Sequence, residues 1–487
     1  MIKMKNWKIK LLAGALAVAC FACSACTVVY ESKDTDTDAE TSAQTEAPEL
    51  TPVDPPSEED LAKTAATVGS ANITGAEYYF FLYDLAQIVV AQNGSYITMY
   101  GGTIPDFNYS LKSQYIMQDT TWYDYLTKDM QGYLEYTYLI AEAGKKAGIT
   151  LDDDELAEVA EKAEKYEAPE GLSYLTKDVA KKCYEMSALA DKYRRHIENT
   201  LPEVTEDEIN AEFEKNKKKY TLVELNYFPI TYTDGTETDT ETTAVRKPTK
   251  DEAKVYADKF NDCTTTDEFK AVVEEYFKEF NPDATAEDVE YYKEGCAYKD
   301  LKYEEGIDIL DWAFDTERKD GDITAIWSDK EKTVHIGTLV KAPYTDDDET
   351  ASVRHILVEE EEKAKQILDE FNNSDKTSET FGKLAEKYTT DQGSASNGGL
   401  YENFPKGEMV AEFENWAFDE KRVPGDVEIV KTTYGYHIMY YVSEGLPTYR
   451  AVVKSTIEAA NLEAVYEQID KDFKLELNED FTKELNI

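Results

Sequence analysis

The chain has 487 residues, enough for two to four domains, and carries 52 basic against 100 acidic side chains, a net charge of -48. Such a negative surface argues against nucleic-acid binding, because neutralising phosphates requires clustered lysine and arginine, and it favours solubility. The sequence has no HExxH motif and no phosphate-cradling glycine loop, and its CxxC spacings are confined to Cys20, Cys23 and Cys26 in the N-terminal segment, so it implies neither a metal nor a cofactor.

The N-terminal segment, residues 1–25, has the pattern of a secretory signal. Its first ten residues carry four lysines and no acid, and the next fifteen are apolar or small and too few to span a bilayer. Small residues precede closely spaced cysteines at Cys20, Cys23 and Cys26, which resembles the bacterial lipoprotein processing site. We expect lipidation at Cys26, with Cys20 as the main alternative. An ordinary signal peptide that releases a soluble protein is the other possibility.

Residues 26–65 are predicted to form an acidic, disordered linker. The stretch 31–59 consists mainly of Asp, Thr, Glu, Ser, Pro and Ala and has almost nothing to bury. Asp34, Asp36 and Asp38 alternate as in a calcium loop, but the glycine and the terminal glutamate of such a loop are missing, so we expect no calcium site. The linker would hold a folded body away from a membrane.

Residues 66–221 are predicted to form an all-helical, aromatic-rich block. Thr74 and Glu77 have the spacing of a capping box at a helix N-terminus, and Thr205 and Glu208 repeat it. Most of the tyrosines in the block are expected to be core residues, although they could also form a cradle for unfolded chains.

The motif Val-Thr-Glu-Asp-Glu-Ile at 204–209 resembles the N-terminal chaperone domain of PrsA- and SurA-type foldases. The resemblance implies that the block binds unfolded polypeptides. It also implies that the C-terminal segment 447–487, predicted as an amphipathic helix, packs back onto the block.

The remaining chain contains an internal repeat, in which residues 222–345 correspond to residues 350–446. Matching residues recur in the same order and with the same internal spacing, which chance helical periodicity does not produce. The matches pair Ala253, Asp258 and Phe260 with Ala364, Asp369 and Phe371, Trp312-Ala-Phe-Asp315 with Trp416-Ala-Phe-Asp419, and His335 with His437.

The second copy has the pattern of an α+β domain. Val353, His355 and Leu357 alternate along a predicted strand, so His355 shares a face with two apolar side chains. Three helical stripes and two further strands follow, and the last strand carries His437. We expect the first and last strands to lie side by side, which would bring His355 and His437 together.

Four segments of this copy closely resemble the parvulin family of peptidyl-prolyl cis/trans isomerases: Ala-Ser-Val-Arg-His-Ile-Leu-Val at 351–358, residues 388–400, residues 407–418 and Lys-Thr-Thr-Tyr-Gly-Tyr-His-Ile-Met at 431–439. The resemblance implies a cofactor-free isomerase that acts on Xaa-Pro bonds. It assigns catalytic roles to His355, Asp391, His437 and Thr432, and a proline pocket to Leu400, Met409 and Phe413.

Each of these residues also has a purely structural interpretation. A histidine on an apolar strand is commonly a satisfied core residue. Asp391 precedes Gln-Gly-Ser and could simply cap a turn, while Met409 and Phe413 lie on a helical stripe where core packing is the default. Pocket and core roles are compatible for the last two.

The first copy lacks the corresponding chemistry. Tyr227 stands where the second copy has His355, and nothing matches the Asp391 loop, so His335 is expected to be a relic or a core residue. We therefore predict that residues 222–345 form an inactive, degenerate parvulin-like domain that serves as a spacer or binding surface. The sequence does not decide whether Cys263 and Cys296 form a disulfide within this domain.

The predicted protein is a lipid-anchored foldase on the extracytoplasmic face of a bacterial membrane. Its partners would be secreted proteins with Xaa-Pro bonds and the bilayer, and the resemblance is compatible with a homodimer. The acidic run at 359–362 argues against a preference for phosphorylated residues before proline. The alternative is a non-catalytic holdase, and a surface adhesin is a weaker third hypothesis.

Overall fold

The computed structural model describes residues 50–117, 119–234, 246–294, 297–391, 393–483, 485 and 487. The signal segment, the candidate lipidation sites Cys20 and Cys26, most of the predicted linker and Cys296 lie outside them. The chain separates into two compact units, one comprising Met1–Pro202, Asp391–Asn397 and Ala459–Ile487, the other Glu203–Thr390 and Gly398–Glu458.

The described part of the first unit opens with helix α1 (Glu58–Ala62) and the antiparallel strands β1 (Thr64–Val68) and β2 (Ala71–Thr74). Helix α2 (Gly75–Met99) follows directly, and the predicted capping box starts it. The Thr74 side chain accepts a hydrogen bond from the Glu77 amide, and the Glu77 carboxylate accepts one from the Thr74 amide at 2.7 Å. Two of the amides that lack a partner within the helix, those of Thr74 and Glu77, are thereby satisfied.

The rest of this part of the unit is mainly helical: β3 (Tyr115–Met117), β4 (Thr120–Thr121), α3 (Trp122–Leu134), α4 (Ile140–Lys146), α5 (Asp153–Glu164) and α6 (Lys177–Thr200). A π-helical turn at Glu135–Leu139 joins α3 to α4. Tyr78, Phe81 and Trp122 are almost completely buried in its core, whereas Tyr96 and Tyr100 are exposed. Among the described residues, no helix is both long and apolar enough to cross a membrane.

The second unit begins with α7 (Glu206–Lys215), capped by Thr205 and Glu208 as predicted, and continues with a first α+β domain. Its elements are β5 (Leu222–Thr231), α8 (Lys250–Asn261), α9 (Thr266–Phe280), α10 (Ala286–Glu294), β6 (Ala297–Lys302), α11 (Asp308–Ala313), β7 (Ile323–Ser328) and β8 (Thr333–Tyr344). The antiparallel sheet has the order β6-β5-β8-β7. Phe228 packs under α8 and α9 on one face, and Leu225 packs under α11 on the other.

A second α+β domain in this unit has the same succession of strands. Its elements are β9 (Thr350–Val358), α12 (Glu361–Asn372), α13 (Ser378–Tyr388), β10 (Leu400–Pro405), α14 (Ala411–Ala417), β11 (Val427–Thr432) and β12 (Gly435–Glu444). The sheet order is β10-β9-β12-β11, so the first and last strands are antiparallel neighbours, as predicted. The edge strand β10 was missed, because its sequence follows a glycine pair and contains a proline.

Helix α15 (Thr448–Asp472) leads from the second unit into the first. The chain then forms strand β13 (Leu475–Leu477), which pairs with β1, and helix α16 (Glu479–Lys483). Phe481 on α16 is buried, with its ring edge-on to Tyr78 and Tyr79. The C-terminal segment thus completes the core of the first unit.

Three expectations about this unit were wrong. The predicted disordered linker does not extend to residue 65, because Ser57 caps helix α1 and strand β1 begins at Thr64. The N-terminal block is not all-helical, because β13, β1 and β2 form a three-stranded sheet. The C-terminal segment is not one helix to its end, because Phe473 to Leu477 alternates apolar and charged side chains, a period of two that suits a strand. The mixed α+β, multidomain class is confirmed.

Candidate active site

The two predicted histidines lie on adjacent strands and on the same face of the second α+β sheet. His355 on β9 pairs with Met439 on β12, and His437 comes two residues earlier on that strand. Side chains two residues apart share a face, so the rings meet diagonally across the strands. Their Nδ1 atoms are 3.0 Å apart, and the rings stack with centroids 5.2 Å apart.

Aromatic side chains enclose the histidine pair. His355 is 3% exposed and His437 5%. Phe413 on α14 presents its ring edge-on to both imidazoles, with centroid distances of 5.5 Å and 5.6 Å. Tyr401 on β10 lies 5.2 Å from the His355 ring. Polar atoms in this apolar surround interact more strongly than they would in water.

The hydrogen bonds couple the tautomers of the two rings. A hydrogen bond between the two Nδ1 atoms at 3.0 Å requires one to carry a hydrogen and the other to accept it, because two N–H groups or two lone pairs would repel each other. The hydroxyl of Thr432, which is buried, lies 2.9 Å from His437 Nε2 and also accepts the Tyr434 amide. If Thr432 donates to Nε2, His437 donates to His355 through Nδ1. If Nε2 donates to Thr432, the direction is reversed.

The backbone of His355 is held by a glycine pair. Its amide donates to the Gly399 carbonyl at 2.8 Å. Gly399 has φ 73°, and a Cβ there would lie 2.2 Å from the His355 carbonyl oxygen, so no larger residue fits. Behind the sheet, Arg354 donates to the Gly398 carbonyl and to the Ser378 hydroxyl, at 2.9 Å and 3.0 Å. Gly398 and Gly399 thus set the position of β9.

The predicted proline-pocket residues occupy different surroundings. Phe413 is 3% exposed. Met409 is half-buried and packs against the apolar cluster that contains Phe413. Leu400 is half-buried at the first position of β10, where it pairs with Arg354. The assignment of Leu400 to the proline pocket stays a prediction. Tyr401, the next residue, was not singled out from the sequence, because regular alternation from Phe404 would put it on the opposite face of the strand. An irregularity in the pairing between Tyr401 and Phe404 brings both rings to the same apolar cluster.

Asp391 lies in the loop Asp391–Asn397, which groups with the first unit. Its carboxylate accepts hydrogen bonds from the Gly393 amide at 3.1 Å and from the Ser394 hydroxyl at 2.5 Å. These contacts are those of a turn-capping residue. A catalytic role for Asp391 remains a prediction.

The geometry can favour rotation about an amide without bond-making chemistry. A planar amide owes its barrier of about 20 kcal/mol to charge-separated resonance, which a low-dielectric surround disfavours. The coupled imidazoles can adjust their hydrogens to the changing polarity of a bound amide. In the part of the chain that the structure describes, no group of three or more His, Cys, Asp or Glu side chains is arranged to hold a metal.

Comparison with known proteins assigns residues 338–444 to the PPIC-type PPIase domain family. The chain is 38% identical over 113 residues to foldase protein PrsA 1 of Listeria innocua, covering 23% of this chain and 37% of that protein. It is 46% identical over 88 residues to foldase protein PrsA 3 of Bacillus anthracis, covering 18% and 29%. The chain therefore matches well under half the length of these relatives.

Two solved structures are also similar in part. PrsA from Bacillus subtilis is 15% identical, covers 76% of this chain and 94% of its own, and has a TM-score of 0.26. The parvulin NmPin of Nitrosopumilus maritimus is 36% identical, covers 20% of this chain and 98% of its own, and has a TM-score of 0.18. Both scores are too low to establish a common overall arrangement.

Proposed function

Because residues 338–444 are a parvulin-type peptidyl-prolyl isomerase domain that is PrsA-like in sequence, we propose that the whole protein is an extracytoplasmic foldase. It isomerises Xaa-Pro bonds in secreted polypeptides while these fold. The N-terminal block, completed by the C-terminal segment, binds the unfolded chain, and residues 222–345 form a non-catalytic copy of the isomerase domain. Lipidation at Cys26, or alternatively at Cys20, anchors the protein to the membrane.

The observation that carries the proposal is the buried pair of His355 and His437 beneath the edge of Phe413. Phe413 and Met409 would grip the proline ring, and the imidazoles and Thr432 would face the amide as it twists. Every 1.4 kcal/mol by which this surround favours the twisted over the planar amide accelerates isomerisation about tenfold.

A protease-coupled assay with a proline tetrapeptide on the full chain tests the proposal. The wild-type protein should catalyse the cis-to-trans step, and the double variant His355→Ala/His437→Ala should lose most of that rate. His335→Ala removes the corresponding histidine of the first α+β domain and serves as the matched control, with an unchanged rate. Absence of catalysis in the wild type, or full activity in the double variant, would refute the proposal.

A second candidate function, a non-catalytic holdase, is favoured by an exposed apolar surface on the first unit. Residues 85–105 contain no charged side chain, although 31% of the chain is charged. Tyr96, Met99 and Tyr100 in this stretch are 57%, 72% and 53% exposed. Suppression of client aggregation that survives Phe413→Ala but is lost in Met99→Ser/Tyr100→Ser would support this function, which can coexist with isomerisation.

A further inference from the structure

The first α+β domain contains a polar pair at the place where the isomerase domain has its histidines. Tyr227 on β5 pairs with Gly337 on β8, and His335 comes two residues earlier on that strand. This is the register of His355, Met439 and His437. The Tyr227 hydroxyl is 2.6 Å from His335 Nδ1, and the rings stack with centroids 5.9 Å apart.

The aromatic wall beside the pair is also present. Tyr298 on β6 pairs with Leu225, just as Tyr401 on β10 pairs with Val353. Its ring lies 6.3 Å from that of Tyr227 at an angle of 60°, so the two rings form an open wedge. Tyr298 is 47% exposed, whereas its counterpart Tyr401 in the isomerase domain is half-buried. The wedge is therefore accessible to solvent.

Both ring nitrogens of His335 are engaged. Nδ1 contacts Tyr227, and Nε2 lies 2.8 Å from the Glu331 carboxylate. A hydrogen on Nε2 points at the Glu331 carboxylate and leaves Nδ1 to accept the hydrogen of the Tyr227 hydroxyl. Burial and the Glu331 charge raise the pKa of Tyr227 to about 12, so its phenol is neutral at physiological pH.

The two side chains that would contact a proline ring in the isomerase domain are replaced in this domain. Ile309 occupies the position of Phe413, three residues before the shared tryptophan, and Glu305 occupies that of Met409. Ile309 packs in the apolar core beneath the wedge. An open, solvent-accessible site with a carboxylate in place of a thioether gives a twisted amide little preferential stabilisation.

We propose that the wedge of Tyr227 and Tyr298, with His335 at its base, binds proline-containing polypeptide segments without isomerising them. The inference rests on the proposed function, since it assumes clients with Xaa-Pro bonds. Angled aromatic rings accept proline rings and extended polyproline conformations, which lose little entropy on binding. A client held there would raise the effective concentration of its other prolines at the isomerase site of the same chain.

Histidine-selective NMR of the full chain can test this directly, because the protein has only four histidines. In protein labelled with ¹³C-histidine, each ring signal is assigned by one substitution. Titration with a proline tetrapeptide should shift the signals of His335, His355 and His437, while His196 acts as the internal reference. The matched peptide with alanine in place of proline should leave His335 unchanged.

Two variants locate the response. Tyr298→Ala should weaken the peptide affinity measured from the His335 shift about fivefold, as expected for the loss of one aromatic contact. The shifts of His355 and His437 and the isomerase rate should stay unchanged. Tyr298→Ile keeps a strand-forming side chain and should behave in the same way. Tyr291→Ala, at a 55% exposed tyrosine on α10, is the matched control and should have no effect.

The proposal is overturned if His335 does not respond at peptide concentrations that saturate the His355 and His437 signals. It is also overturned if the alanine peptide shifts His335 equally, or if Tyr298→Ala and Tyr298→Ile leave its response intact. Failure of the proposed function looks different: the wild type would then not catalyse isomerisation, whatever the response of His335.

Discussion

His437 makes polar contacts through both ring nitrogens, and this distinguishes a coupled pair from two neighbouring core histidines. Its Nδ1 contacts His355 and its Nε2 contacts Thr432. Because the hydrogen on one nitrogen determines which tautomer the rest of the network adopts, Thr432 can set the tautomer of His355 without touching it. The effect of Thr432 on catalysis would therefore be one of positioning.

We expect Thr432→Val to lower kcat/KM about five- to tenfold, with kcat more affected than KM. Valine keeps the volume but removes the hydroxyl, so His437 loses one hydrogen bond, worth about 1 kcal/mol net. The protease-coupled assay measures the rate, and the ¹⁵N spectrum of histidine-labelled protein should show a changed tautomer at His437. Thr433→Val, at the exposed neighbouring position, is the control; equal rates in the two variants would refute the role of Thr432.

At the scale of elements, strand pairing between distant segments organises both units. The pairing of β9 with β12 brings His355 and His437 together across 82 residues of sequence. The pairing of β13 with β1 joins the C-terminal segment to the start of the first unit and places Phe481 in its core. The first unit therefore depends on residues at both ends of the described chain.

Phe481→Ala should destabilise the first unit by about 3–4 kcal/mol, because it leaves a cavity beside Tyr78 and Tyr79. Faster hydrogen exchange in β1 and α2 would report the loss, whereas exchange in β9 and β12 should change little. Lys483→Ala on the same short helix removes only an exposed ion pair and should have almost no effect. Unchanged exchange in β1 of the Phe481 variant would contradict the packing described above.

At the scale of the whole molecule, the net charge of -48 gives the protein a strongly negative field. The acidic run Glu359–Glu362 is exposed and directly follows β9, the strand that carries His355. A substrate with negative charges before its proline would therefore be repelled both by the molecule and locally. Neutral or basic substrates would not.

We expect a phosphoserine-proline peptide to be isomerised at least tenfold more slowly than its serine-proline counterpart at low salt. The difference should shrink as the salt concentration rises, because the Debye length falls from about 10 Å at 0.1 M to about 3 Å at 1 M. Changing all four glutamates at 359–362 to glutamine should also reduce it. The same change at four exposed glutamates of the first unit is the charge-matched control: Glu158, Glu161, Glu164 and Glu167. A preference for the phosphopeptide would contradict this account.

The sequence by itself determined the features that depend on neighbours along the chain. Both capping boxes, the helical stripes and the alternation that puts His355 between apolar side chains follow from the spacing of a few residues, and the internal repeat was visible in the same way. Only the tertiary structure decided the 3.0 Å contact between the histidines, the edge strand with Tyr401, the pairing of β13 with β1, and the bond between Tyr227 and His335. These features join segments far apart in sequence, and their distances depend on strand register and side-chain packing, which no local pattern specifies.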